Sequence, residues 1–264
     1  NTFYIPWGTN INCFRLEKEK QRNENLTFFH SCGMSPYRKG TDLVLRAFQK
    51  VTGKANLIIH TQIDLLPDNG IELELLRDPR IKVIKKEVGH PGLYQLGDVY
   101  VYPSRLDGIG LTIAEALASG LPTITTDSPP MNEFVIQDIN GKLVKVKSYH
   151  TRNDNYYWPE SICDVSDLAK AMQYYINNKE SIEELQLSTR KYAEQNLNWE
   201  ENSSNLNKYL QSIVNNHKKI DKLLYLKIYL YELSLYSSLY KNSIIRKFSM
   251  ITGKRGKRFY TCKI

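Results

Sequence analysis

Residues 99–133 read VYVYPSRLDGIGLTIAEALASGLPTITTDSPPMNE. Val99 to Tyr102 is a run of β-branched and aromatic residues, the composition of a strand buried on both faces. Asp107-Gly108-Ile109-Gly110 follows, and then Leu111 to Ser119, almost entirely small or apolar, reads as a helix stopped by Gly120. Pro122 to Thr126 is the next strand. Strand, glycine turn, helix, strand is the repeating unit of a parallel sheet covered on both faces.

The same alternation extends in both directions. Upstream, strands are expected at Leu26–Cys32, Asn56–His60 and Ile81–Val88, with helices at Thr41–Val51 and Ile71–Leu76 and a helical turn at Gly92–Leu96. Downstream come a short helix at Asn132–Ile136, a tight Asn140-Gly141 turn and a strand at Lys142–Val146. Helices are expected at Val165–Asn177, Ile182–Gln195 and Glu200–Asn216. Ser148 to Pro159 (SYHTRNDNYYWP) is polar and aromatic, and reads as a functional or capping loop. The fold class is therefore α/β, a doubly wound Rossmann-like parallel sheet with a C-terminal helical extension. Residues 1–25 read as a linker entering the domain, 26–216 as the domain, and 217–264 as a basic tail rich in Tyr, Leu and Lys. Ligands of such folds bind beyond the carboxyl ends of the strands.

Composition bounds the function. The chain has 264 residues, a formal charge of +8 and 41% hydrophobic residues, ordinary for a globular protein. From Lys218 to Ile264 there are 12 Lys/Arg against two acids, so the tail carries the whole excess and residues 1–217 sum to −2. A near-neutral body argues against nucleic acid as its partner. The tail reads either as an amphipathic segment on an anionic membrane surface or as a helical extension packed on the body, with nucleic acid the weaker third option. Cys13, Cys32, Cys163 and Cys262 are scattered and form no metal or redox motif, which favours a reducing, cytoplasmic setting. The chain opens Asn1-Thr2-Phe3-Tyr4 with neither an initiator Met nor a signal peptide, and is expected to be a fragment of something longer.

The chemistry gathers at the glycine turn. Glycines let backbone N–H groups approach a ligand, and the helix that follows turns its positive end to the same place. That suits a diphosphate. Asp107 stands in the turn and Glu115 just past the first turn of the helix, so both can border one pocket. Taken singly, a G-x-G is often only a tight turn, a helical Glu a solvated charge, and an Asp a turn or capping residue.

Asp107-Gly108-Ile109-Gly110-Leu111 followed by Glu115-Ala-Leu-Ala-Ser-Gly-Leu-Pro122 resembles the signature of family 4 glycosyltransferases with the GT-B fold, in particular their C-terminal, donor-binding domain. Leu96 to Ser104, Thr126-Asp127, Glu133 and Asn140-Gly141 continue the resemblance. Ile5-Pro6-Trp7-Gly8 is similar to the linker entering that domain, and Arg38-Lys39-Gly40-Thr41-Asp42-Leu43 to its basic loop. The resemblance implies a retaining, hexosyltransferase-type enzyme of polysaccharide biosynthesis that moves a sugar from a nucleotide diphosphate to a glycan or lipid-linked acceptor. It implies that Glu115 holds the ribose and Asp107 the donor sugar. The amides of Gly108, Ile109, Gly110, Leu111 and Thr112 would cradle the sugar and distal phosphate, and Lys39 and Arg38 would neutralise the leaving diphosphate. Gly33 would belong to the donor site, Glu87 and Val88 would line the base pocket, and Glu133 would support the donor site. No metal and no cofactor are implied.

Three positions depart from the family pattern. Asp107 stands where Glu is usual, Gly33-Met34 where Gly-Arg is common, and Pro129-Pro130 where glycines are usual. The resemblance also implies that the acceptor site lies mostly on an N-terminal GT-B domain, on a missing or separate chain. The isolated half is then expected to bind donor and transfer little. The rival reading is a non-catalytic or split-enzyme subunit that binds nucleotide sugar for a separate acceptor-binding chain. Membrane contact, if made, would be peripheral at the inner face.

Overall fold

The computed structural model describes residues 2–15, 24–152, 157–215, 226–232 and 234. The chain divides into two compact units, Thr2–Asn207 and Lys208–Ile264 together with Asn1. In the first unit the elements run β1 (Leu26–Gly33), α1 (Thr41–Phe48), β2 (Ala55–Thr61), β3 (Ile81–Lys85), β4 (Val99–Tyr102), α2 (Leu111–Ala118), β5 (Thr123–Thr126), β6 (Gly141–Val144), β7 (Val146–Thr151), β8 (Pro159–Cys163), α3 (Val165–Asn177), α4 (Ile182–Asn196) and α5 (Trp199–Asn202). Helix α6 (Leu206–Asn215) begins at the end of this unit. β1 to β6 form a six-stranded parallel sheet in the order β3-β2-β1-β4-β5-β6. The doubly wound α/β expectation is borne out.

Side-chain alternation explains why both faces are covered. On β4, Val99 and Val101 join one core with Phe28, Phe48, Leu57 and Met172, while Tyr100 and Tyr102 join the other with Phe29, Leu117 and Phe134. α1 packs on α3 and α2 on α4. Two helix ends have a local cause in hydrogen bonding. Past Ala118 the Gly120 N–H donates to Leu117 O (3.0 Å) and the Leu121 N–H to Ala116 O (2.9 Å), with Gly120 at φ 77°, so the glycine stop read from the sequence is a Schellman cap. Asp164 caps α3 through the N–H groups of Ser166 and Asp167.

Several boundaries differ from the sequence reading. Ile71–Leu76 and Asn132–Ile136 were expected as α-helices; the chain forms 3-10 turns at Leu73–Arg77 and Met131–Glu133, stretches too short to repay the nucleation of an α-helix. The helix expected at Glu200–Asn216 is two helices, α5 and α6, broken at Ser203–Asn205, where Ser and Asn compete for backbone hydrogen bonds. Ser148–Pro159 is not a loop alone: β7 and β8 pair antiparallel as a separate two-stranded ribbon. Residues 2–15 of the expected linker are fastened to the domain. At the α4–α5 junction the Thr9 N–H donates to Leu197 O (2.8 Å) and Thr9 O accepts the Trp199 N–H (3.1 Å), and the Trp7 ring lies 5.1 Å from that of Trp199. Most of the tail, read either as a membrane-surface segment or as a packed helical extension, lies outside the described residues. Within residues 226–232 Leu226, Ile228, Tyr229, Leu230 and Tyr231 are exposed, and no described helix is long and apolar enough to cross a membrane.

The strand order reverses between β1 and β4, and the loops leaving these two strands meet there, at the switch point where such sheets bind ligands. Their meeting is closely specified. Gly40 has φ 73°, and a Cβ on it would sit 2.2 Å from Pro103 O. Arg105 N–H donates to Arg38 O at 2.8 Å, and Arg38 Nη1 donates to Leu106 O at 2.9 Å. Beneath them Arg105 makes two parallel 2.7 Å bonds to Asp42, both side chains about 95% buried, with the guanidinium 4.0 Å over the Tyr37 ring. His30, fully buried, donates from Nδ1 to Val101 O (2.8 Å) and accepts the Thr41 hydroxyl at Nε2 (2.9 Å); burial lowers its pKa to about 4, so it is neutral.

Two outcomes follow from this packing. Arg105→Met leaves the buried Asp42 with only Arg46, 3.6 Å away, and should lower stability by about 3–5 kcal/mol, much of it recovered in Arg105→Met/Asp42→Leu, as read by urea unfolding. Gly141→Ala puts a Cβ 2.0 Å from Thr123 O and should cost about 1–3 kcal/mol or more; an unchanged urea midpoint would contradict the close approach of β5 and β6.

Candidate functional site

Asp107 sits in the turn between β4 and α2, and both of its carboxylate oxygens are engaged. Oδ1 accepts the N–H groups of Gly108 (2.8 Å) and Gly110 (3.3 Å). Oδ2 accepts Lys39 Nζ at 2.7 Å and the Tyr102 hydroxyl, with Arg38 Nη1 at 3.4 Å. Burial pushes the Asp107 carboxyl up, but Lys39, the Tyr102 hydroxyl and Arg38 together outweigh it and hold it well below the usual carboxylate range. For Lys39 the balance goes the other way. Burial lowers its pKa, and the hydrogen bond and charge of Asp107 offset only part of that.

Two of the five amides expected to cradle the donor have a partner within the turn. In this structure the Gly108 and Gly110 N–H groups are taken by Asp107 itself. Its side chain, one methylene shorter than Glu, folds back onto its own turn as Asp does in Asx turns. Leu111 and Thr112 open α2, where the first N–H groups have no intrahelical partner and the helix dipole is positive.

Glu115 lies one turn further along α2 and accepts the Tyr94 hydroxyl at 2.6 Å. Burial raises the Glu115 carboxyl above its ordinary value, opposed by the Tyr94 hydrogen bond and by His90 and Lys39 nearby. With Thr112 it lines a cavity of about 190 Å³ that Ser31, His60, Val88 and His90 also border. His60 Nδ1 accepts the Ser31 hydroxyl and Nε2 donates to Lys86 O, both at 2.9 Å, so the ring is fixed in one orientation.

The structure brings some of the candidates together and separates others. Lys39, Arg38 and Asp107 form one contact group, and Glu115, Thr112 and Val88 share the cavity. Glu87 is exposed and is not among the residues lining that cavity, because β3 has ended at Lys85 and the chain turns it outward. Glu133 is exposed and borders a different recess, of about 480 Å³, with Gly108, Ile109 and Tyr4 to Trp7. Gly33 ends β1 at φ 54°, its carbonyl accepting the Gln62 N–H at 2.9 Å.

The sequence reading missed the tyrosines that join the two acids. Tyr94 and Tyr100 are edge to face at 5.6 Å, and Tyr100 stacks on Tyr102 at 5.7 Å. The row runs from Glu115, bonded by Tyr94, to Asp107, bonded by Tyr102. Burial raises all three phenols far out of the physiological range, so they stay neutral; Tyr94 and Tyr102 donate to the acids, and the Tyr102 hydroxyl also accepts from Lys39 Nζ. The VYVY alternation was the signal that could have found Tyr100 and Tyr102 on one face; nothing local marked Tyr94. The Tyr100 hydroxyl and Thr112 Oγ1 are buried without a hydrogen-bond partner among the described residues.

Comparison with known proteins bears on the family and the fold. The family described as "Glycosyl transferases group 1" matches residues 25–178. Among curated proteins, the O-antigen biosynthesis glycosyltransferase WclY of Escherichia coli is 27% identical over 161 residues, covering 56% of this chain and 39% of that protein. The lipopolysaccharide core biosynthesis mannosyltransferase LpsB of Rhizobium meliloti is 38% identical over 56 residues, covering 21% of this chain and 16% of that protein. The chain thus matches well under half the length of these curated relatives. Among solved structures, sucrose-phosphate synthase from Thermosynechococcus elongatus superposes with a TM-score of 0.66 at 20% identity, covering 81% of this chain and 53% of that one. Anabaena HepE in complex with UDP-glucose gives 0.61 at 17% identity, covering 78% and 56%. The C-terminal domain of the group 1 protein LpcC from Francisella tularensis gives 0.55 at 18% identity, covering 71% of this chain and 97% of that domain. With its family match spanning more than half of the sequence, the chain belongs to the group 1 glycosyl transferases.

Proposed function

We propose that this chain supplies the nucleotide-sugar-binding half of a retaining glycosyltransferase that delivers a hexose to a glycan or lipid-linked acceptor. The observation that carries the reading is the pairing of two carboxylates across one strand–turn–helix unit. Asp107 is held by Lys39, and Glu115 by Tyr94 at a cavity of nucleoside dimensions. In this proposal Glu115 accepts the ribose hydroxyls, and Ser31, His60 and Val88 border the base. The amides opening α2 meet the distal phosphate. Arg38, Lys39 and Asp107 together carry one net positive charge, which faces the diphosphate as it gathers negative charge on leaving. Fixed cations and amides supply that stabilisation, so the proposal needs neither a metal nor a cofactor. Retention follows if the acceptor attacks from the face the diphosphate leaves.

The acceptor site is assigned to the part of such enzymes that this chain does not match, and alone the chain is expected to transfer little. The O-antigen name of the Escherichia coli relative favours a polysaccharide acceptor. A donor-binding subunit without turnover of its own is the second reading. It is favoured by Asp107, whose carboxylate is committed to Lys39, Tyr102 and its own turn before any sugar arrives.

A thermal-shift panel of UDP-, GDP- and ADP-sugars tests the donor site. A ligand at a hundred times its dissociation constant adds about 2.7 kcal/mol, or roughly 5–10 °C for a unit of this size. Glu115→Ala should remove the shift; a variant that responds like the parent would refute the assignment. Binding should also show a narrowed pH window. Ribose hydroxyls donate to the carboxylate, and Glu115 protonates above the ordinary glutamate range, so affinity falls early on the acid side. Lys39 loses its charge below the ordinary lysine range, so affinity also falls early on the alkaline side. Titrated affinities that stay flat through both ranges would count against the roles given to these groups.

A further inference from the structure

The β7–β8 ribbon is not used by the donor site, yet it is built onto the loop that carries Asp107. Ser161 N–H and its hydroxyl both donate to Arg105 O, at 2.8 and 3.1 Å, which roots the ribbon two residues before the acid. Its base is closed by the Asp164 N–H on Lys145 O at 2.8 Å.

Register decides what each face presents. Directly opposed residues of an antiparallel pair share a face. His150 opposes Glu160, Ser148 opposes Ile162, and the Arg152 N–H reaches Trp158 O at 3.1 Å, which sets Trp158 beside this row. One face therefore carries Trp158, 55% exposed, with Arg152 opposite it, next to the imidazole of His150, the carboxylate of Glu160 and the hydroxyl of Ser148, which lies 3.3 Å from His150 Nε2. Tyr149 opposes the buried Ser161 and belongs to the other face. Tyr157, at φ 56°, holds the chain in the left-handed region as it enters Trp158, a conformation that bulky residues seldom adopt.

We infer that the Trp158 face binds a neutral glycan chain, stacking a sugar ring on the indole while His150, Glu160 and Ser148 bond its hydroxyls. Charge and area select this occupant. Residues 146–160 carry two basic and two acidic residues, Lys147 and Arg152 against Asp154 and Glu160, so nothing draws a polyanion or an anionic membrane. A ribbon of this length is roughly 20 Å by 10 Å, on the order of 200 Å², against about 800 Å² per partner in a stable protein interface. A rigid aromatic flanked by polar side chains gives contact together with hydrogen bonding. The inference rests on the glycosyl-transfer reading for its purpose, which is to hold the acceptor chain beside the transfer turn. Its test does not depend on that reading.

The test uses the whole chain, with neutral hexasaccharides of glucose, mannose and N-acetylglucosamine as probes at millimolar concentration. Trp7, Trp158 and Trp199 are the three tryptophans, so indole N–H resonances distinguish the sites directly. The expected result is that at least one hexasaccharide shifts Trp158 while Trp7 and Trp199 stay in place. By calorimetry Glu160→Gln should weaken binding about tenfold or more. Trp158→Ala should abolish it, and Tyr149→Ala, on the opposite face, should leave it unchanged. No movement of Trp158 with any probe would overturn the inference, as would equal losses for Tyr149→Ala and Trp158→Ala. Capture of anionic vesicles through Trp158 without a saccharide response would overturn it too. Should Trp158→Ala not fold, the indole titration with the parent and Glu160→Gln decides. The donor panel runs beside it: failure there with a responding Trp158 removes the donor reading and leaves the glycan face supported. The reverse pattern removes the glycan face alone.

Discussion

The buried pair of Arg105 and Asp42 is the constraint on which the site depends. Arg105 belongs to the loop after β4, Asp42 to the first turn of α1, and the planar guanidinium meets the carboxylate in two parallel bonds. With both groups out of water, neither can relax to solvent, so the two loops are held in one relative position. That position sets Lys39 and Asp107 2.7 Å apart. The same residue ties on the ribbon through its carbonyl and the basic loop through its N–H. One side chain and its backbone thus join three segments far apart in sequence.

Around this clamp the sheet supplies a graded electrostatic environment. The tyrosines on β4 and the turn before it place neutral hydroxyls against both acids in a setting where burial strengthens every hydrogen bond. The two carboxylates are then driven apart. Asp107 stays ionised under the pull of Lys39 and Arg38, whereas burial makes Glu115 easier to protonate. Two acids eight positions apart on one strand–turn–helix unit therefore suit different partners, the one a fixed cation and the other neutral hydroxyls.

Rigidity and variation are distributed as the fold requires. The β1 and β4 strands, with their buried aromatic and aliphatic residues, admit little change, and glycines such as Gly40 and Gly97 sit where any Cβ would strike a neighbour within 2.5 Å. The ribbon between β6 and α3 is anchored at its base by buried Ser161 and Cys163 and carries exposed aromatics toward its far end, where new recognition can be added without disturbing the sheet.

The sequence by itself determined the alternation of strands and helices, the glycine turn before α2 and the stop at Gly120, and its resemblance to a family singled out Lys39, Asp107 and Glu115. These are local matters, set by periodicity, by the special backbone of glycine and by motif order. Tertiary structure decided what local pattern cannot carry: that His30, Arg105 and Asp42 fasten α1 to β4, that Tyr94 and Tyr102 bond the two acids, and that Asp107 claims two amides expected for the ligand. It also turned Glu87 outward, set Glu133 on a separate recess and made a ribbon of Ser148–Pro159. Each of these depends on which groups share a low-dielectric interior with which, and that is fixed only when strands distant in sequence pair and shut out water.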